Sequence, residues 1–172
     1  MNVGRGAGVD VEQVRANLTG AYVTIAGVMI FTIAVFLDWV STDGEESFSG
    51  YEADSLVPFA AYLGIGFAVA LLFAGSRAYR RQHRGLSLAS MAVGIAVTLF
   101  VLSWILDVPG AAERGSDWDV DLGVYVGLLG AAVWAAGSGM LAKEPEGDPE
   151  HDRVRARHDS STDRSGGSSA AR

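Results

Sequence analysis

The chain has 172 residues, a mean hydropathy of +0.25, 49% apolar residues, no cysteine, and 20 acidic against 13 basic residues for a formal charge of −7. Without thiols there is no disulfide framework, no thiolate nucleophile and no Cys-ligated metal, and the acidic balance argues against nucleic acid, which is held by clustered cations. A plain soluble domain is excluded by where the charges lie: they are absent from four long stretches and crowded between them.

Residues 1–18 read as an N-terminal tail. Within it Asp10, with Gln13 three residues on, is placed to cap a short juxtamembrane helix carrying Val11, Val14 and Leu18 on one face. Between Arg15 and Asp38 come 22 uncharged residues, then 22 between Asp54 and Arg77, 22 between Arg84 and Asp107, and 21 between Asp121 and Lys143. A helix rises about 1.5 Å per residue, so each run reaches roughly 30 Å, the thickness of a bilayer's hydrocarbon core. In lipid each backbone N–H and C=O must be paired within the segment, which selects helix, and no apolar/polar alternation points to strand. The predicted fold is all-α, a polytopic membrane protein with four transmembrane helices in a bundle over residues 19–142. The spans are placed at about 19–40, 56–76, 86–106 and 122–142. The first is too long for the apolar core of a signal peptide and lacks a small-x-small cleavage site, so it is read as uncleaved. From Lys143 the chain is nearly devoid of apolar residues and ends in Ser and Gly, so 143–172 is expected to be a disordered tail.

Twelve Lys and Arg fall in the two tails and the middle link, against Arg114 alone in the other two loops. The positive-inside rule then places both termini in the cytoplasm, in a cell (plasma) membrane, with loops 41–55 and 107–121 facing out. Each of those loops carries five acids. On that topology the Asn17-Leu18-Thr19 sequon is cytoplasmic and reads as chance. Trp39, Trp104, Trp118, Tyr62 and Tyr125 are expected at the outer interface, where amphipathic rings settle.

The halves echo one another. Phe-Leu-Asp-Trp (36–39) is answered by Val-Leu-Ser-Trp (101–104), and Tyr62-Leu-Gly64 by Tyr125-Val-Gly127, at offsets of 65 and 63 residues. Two repeated helical hairpins would produce this, and so would ordinary interface Trp and helix Gly in unrelated hairpins. With the Trp-ended first span (FLDWVS), the outer-loop segment SFSGYE and the last span GVYVGLLGAAVWAAGSG, the chain resembles small, uncharacterised four-span membrane proteins of actinobacterial type. That resemblance implies a layout and no mechanism.

The sharpest pattern is a ridge of small residues at four-residue spacing in the last span, Gly123, Gly127, Ala131, Ala135 and Gly139. Ala60, Gly64 and Ala68, and Ser90, Gly94 and Thr98, repeat it in the second and third. Lipid supplies no hydrophobic drive between helices, so such ridges gain contact by close backbone approach. They suit packing within the bundle, or, for the last span above all, against another membrane protein or a second copy. Arg77, Arg80, Arg81 and Arg84 lie at helical spacing and would meet anionic lipid headgroups. Asp117, Asp119 and Asp121 begin like a Ca²⁺ loop, but Leu122 replaces the glycine and Leu128 the bidentate Glu, leaving a weak cation candidate. Asp38 is the only ionisable residue near a span's interior, next to Trp39 and the outer loop. No charge lies deep in a span, no proline breaks one, and no catalytic constellation or cofactor motif is present. The expected function is therefore that of a non-enzymatic accessory or scaffold component. An oligomeric transporter or channel, or an envelope sensor with acidic outer loops, stands as the alternative.

Overall fold

In the computed structural model, residues 17–42, 46–76, 82–108 and 118–144 are described, and all belong to one compact unit, 16–145. The expected juxtamembrane helix, the C-terminal tail beyond residue 144, Arg77, Arg80, Arg81 and Asp117 lie outside the described residues. Among the described residues, five helices and three strands follow in order: α1 (Thr19–Ala34), β1 (Asp38–Thr42), β2 (Ser47–Ser49), α2 (Gly50–Ala53), α3 (Leu56–Ser76), α4 (Gln82–Leu106), β3 (Trp118–Val120) and α5 (Leu122–Ala142). Helix dominates. α3, α4 and α5 are long and apolar enough to cross a membrane, whereas α1 is a shorter apolar helix of 16 residues.

Two expectations need correction here. The fold is not all-α, because β1 pairs antiparallel with both β2 and β3 in a three-stranded sheet. And the run expected to be helical from 19 to 40 stops at Ala34, with residues 38–42 extended. Trp39 lies just past the break. Ending at Ala34 lets the ring turn under the sheet, where its Nε1 donates to the Ala34 carbonyl at 2.7 Å and none of its surface is exposed. Trp104 is equally buried, and the two rings meet edge to face with centroids 5.3 Å apart. These two tryptophans are core, not interface, residues. A register shift between Asp38 and Val40 in the β1–β2 pairing lets successive residues Trp39 and Val40 both face inward.

Beyond that bulge the sheet alternates as its pairing dictates. Val40 lies opposite Phe48 and Val120, and all three pack on the core, while Ser41 lies opposite Ser47 and Asp119 on the other face. Strands from the two acidic loops thus share one sheet. At that end Ser49 and Glu52 form a reciprocal capping box at α2, Asp54 Oδ1 accepts from Leu56 N at α3, and Asp121 Oδ1 accepts from Leu122 N at α5.

The four long helices pack in a ring, α1 against α3 and α5, and α4 against α3 and α5. The α1–α5 contact is the most extensive and is antiparallel: Gly20 backs onto Gly137 and Leu141, and Gly27 onto Gly130 and Trp134. Added Cβ atoms on Gly27 or Gly137 would run into the backbone of Trp134 or Thr24, and one on Gly130 would lie 2.5 Å from Phe31 N. The helices touch backbone to backbone there. The halves are not alike in this respect, since α1 has 16 residues and α4 has 25, and only the first leaves its helix before the matching tryptophan.

Candidate functional site

Two arrangements carry the polar and aromatic chemistry of the unit. The first is the cradle around Trp39. An added Cβ would lie 2.6 Å from Trp39 Nε1 at Gly50 and 3.1 Å from its Cζ2 at Gly127, and would overlap Cδ1 at Gly123. The head of the last-span ridge therefore exists to admit an indole from its own chain. Further along, Ala131 is fully buried, Ala135 backs onto Gly94 of α4, and Gly139 faces Met91. The ridge is buried within the chain from Gly123 to Ala131, and Ala135 and Gly139 are half-buried. Ala60, Gly64, Ala68, Ser90 and Gly94 are likewise buried.

The second is a chain of hydroxyls joining α1, α4 and α5. Trp134 Nε1 donates to Ser90 Oγ at 2.9 Å, Ser90 Oγ lies 2.9 Å from Ser138 Oγ, and Ser138 Oγ lies 3.2 Å from Thr24 Oγ1, which donates to the Gly20 carbonyl at 2.9 Å. All four side chains are fully buried. A hydroxyl has one proton to give. With that of Thr24 committed to Gly20, Ser138 donates to Thr24 and Ser90 donates to Ser138. The direction of the whole chain is fixed, from the indole through three hydroxyls to a carbonyl. Other hydroxyls close on their own helices: Thr32 on Val28 O, Thr98 on Gly94 O and Ser103 on Phe100 O.

The remaining sequence candidates are dispersed. Arg84 is exposed in the first turn of α4. Asp119 is exposed on the sheet's polar face, whereas Asp121 caps α5, so these two carboxylates serve different ends. Among the described residues no three His, Cys, Asp or Glu side chains gather as a metal site would require. Asp38 is exposed at the start of β1. Glu52 accepts from Ser49 Oγ at 2.8 Å and Ser49 N at 3.1 Å, and these bonds, the hydroxyl's first, hold its carboxyl below the ordinary value. The Trp134–Ser90–Ser138–Thr24 chain and the α1–α5 glycine seam were not singled out from sequence, although the seven-residue spacings Gly20/Gly27 and Gly130/Gly137 signal the seam.

The class these features define is a mostly helical protein with membrane-length apolar helices, close-packed through small residues and capped at one end by a short sheet. No protein-family model, curated protein or solved structure matches the chain.

Proposed function

We propose that the chain is a multi-pass protein of the cell membrane that crosses the bilayer four times, both termini cytoplasmic and the sheet outside. In that setting it acts as a non-enzymatic accessory or scaffold component that packs against other membrane helices. The observation that carries this proposal is how polarity is divided. The outward faces of the long helices present Met29, Ile33, Phe59, Val69, Ile95, Leu99, Leu129 and Met140, each at least 45% exposed. Inside, hydroxyls and indole are spent on one another. That is the reverse of a water-soluble bundle and suits lipid outside.

Phe31, Trp39, Trp104 and Trp134 fill the interior, which supports a packing role over permeation. Among the small residues facing outward, Gly85, Ala89, Ala92 and Ala96 of α4 form a row at three- and four-residue spacing, a face on which another helix could approach closely. Arg84, with Arg77, Arg80 and Arg81, would hold the cytoplasmic headgroups on that side.

In-cell crosslinking, mild-detergent extraction and mass spectrometry of co-purified proteins test this. A reproducible membrane partner, lost in Ala92→Trp but kept in Leu129→Trp, is the expected result. Recovery of the monomer alone, or cation flux in liposomes above the lipid background, overturns it.

A further inference from the structure

On the four-span reading, α1 poses a problem of length. It is about 24 Å long where α5 is about 31 Å, close to the hydrocarbon thickness. The two helices start level at the end away from the sheet, where Gly20 meets Gly137 and Leu141 and Asn17 N donates to Glu144 Oε2. At the sheet end they do not. Ala34, the last residue of α1, lies beside Gly127, five residues inside the end of α5, and the Asp38 carbonyl lies beside Gly123. The backbone of residues 35–38 therefore runs, without regular helix, at a depth that α5 spends as helix.

Irregular backbone is tolerated at such depth only when its polar groups are satisfied by protein. Here they are. Val35, Phe36 and Leu37 donate to the carbonyls of Phe31, Ile33 and Ala34. In return the carbonyls of Val35, Leu37 and Trp39 accept from Tyr51 N, Gly50 N and Asp121 N, drawn from α2 and from the residue before α5. The outward cover is apolar and aromatic: Phe36, 69% exposed, stacks on Tyr51, 52% exposed, with centroids 6.3 Å apart.

We infer that the first crossing is composite: α1 is completed by a hydrogen-bonded turn over residues 35–38, and the Phe36–Tyr51 stack is a lipid-facing surface seated among the outer-leaflet acyl chains and not in water. The Ser41–Ser47–Asp119 face of the sheet then marks the water boundary just above it.

A cysteine-free chain makes this directly testable. Single-cysteine variants Phe36→Cys, Tyr51→Cys, Met29→Cys as the mid-helix reference and Ser47→Cys as the water reference would be reacted with a membrane-impermeant maleimide. Right-side-out and everted vesicles of phosphatidylethanolamine and phosphatidylglycerol are both used, so that either orientation is read. Phe36→Cys is expected to react at least tenfold more slowly than Ser47→Cys, like Met29→Cys, and to catch up in SDS. Labelling of Phe36→Cys at the rate of Ser47→Cys while Met29→Cys stays protected overturns the composite crossing alone. Rapid labelling of Met29→Cys as well removes the membrane reading beneath it. Should Phe36→Cys not fold, Tyr51→Cys reads the other half of the stack and is expected to be protected to the same degree.

Discussion

Trp39 and Trp104 occupy matching positions in two similar sequence segments, touch each other, and differ in one atom's fate. Trp39 Nε1 has the Ala34 carbonyl, which it shares with Leu37 N; α4 runs on past Trp104, and its Nε1 is a buried polar atom without a hydrogen-bond partner. An unmade buried bond costs about 1–3 kcal/mol, whereas a made one contributes about 1 kcal/mol. Replacing either ring by Phe removes the same volume. Trp104→Phe is therefore expected to destabilise by about 1–3 kcal/mol less than Trp39→Phe, as measured by SDS unfolding in mixed micelles; equal losses would mean that Trp104 has an acceptor. The glycines offer a second comparison. Gly27→Ala drives a methyl into the Trp134 backbone and should cost several kcal/mol or prevent folding, on the order of severe core overpacking. Gly66→Ala meets nothing within 4 Å and should be neutral or stabilising by up to about 1 kcal/mol through helix propensity. The sequence showed that small residues at four-residue spacing would line seams; it did not show that three glycines would make room for one indole, because Gly50 opens the four-residue α2, outside the period of the long helices.

At the scale of elements, α3 and α5 were legible to the residue and α4 to within four, because charge exclusion marks the ends of a helix that runs straight between two boundaries. α1 and the sheet were not. Composition registers that Val35, Phe36 and Leu37 are apolar but not that Trp39 is better served by turning inward, and β1 to β3 are three- and five-residue strands whose pairing is long-range. Two predictions belong here. Ser138 is the middle of the hydroxyl chain, so Ser138→Ala strands the Ser90 proton and should cost about 1 kcal/mol, near the upper part of the range for membrane hydrogen bonds. Thr98→Ala, which loses only a bond to its own helix, should cost less. At α2, the carboxyl of Glu52 titrates below its ordinary value of 4.5, so its contribution is fully present at neutral pH and is lost as the pH falls from that value through the lower folded one. Hydrogen exchange at Gly50 and Tyr51 should accelerate over that acid interval in the wild type and show no such step in Glu52→Gln.

For the whole molecule, the most extensive contact, α1 with α5, joins distant parts of the chain. β1 pairs with β3, Asp121 N reaches the Trp39 carbonyl, and the glycines of α1 meet those of α5. Consecutive helices differ: α4 also packs extensively on α5, while α1 with α3, and α3 with α4, are held less tightly. The consequence is one of timing. On the proposed four-span reading, α1 enters the membrane during synthesis with a bare backbone face whose match is made roughly a hundred residues later, and until then neither the indole of Trp39 nor the hydroxyl of Thr24 has its final surroundings. Completion of the α1 seam therefore waits for α5, and slow assembly is the behaviour expected of a topology rich in distant contacts. A chain ending at residue 117 should accordingly be inserted but cleared by proteolysis, and co-expression of residues 118–172 as a separate polypeptide should restore its lifetime, as read by pulse-chase. The last helix is the clasp that ends a newly made molecule's exposure to quality control.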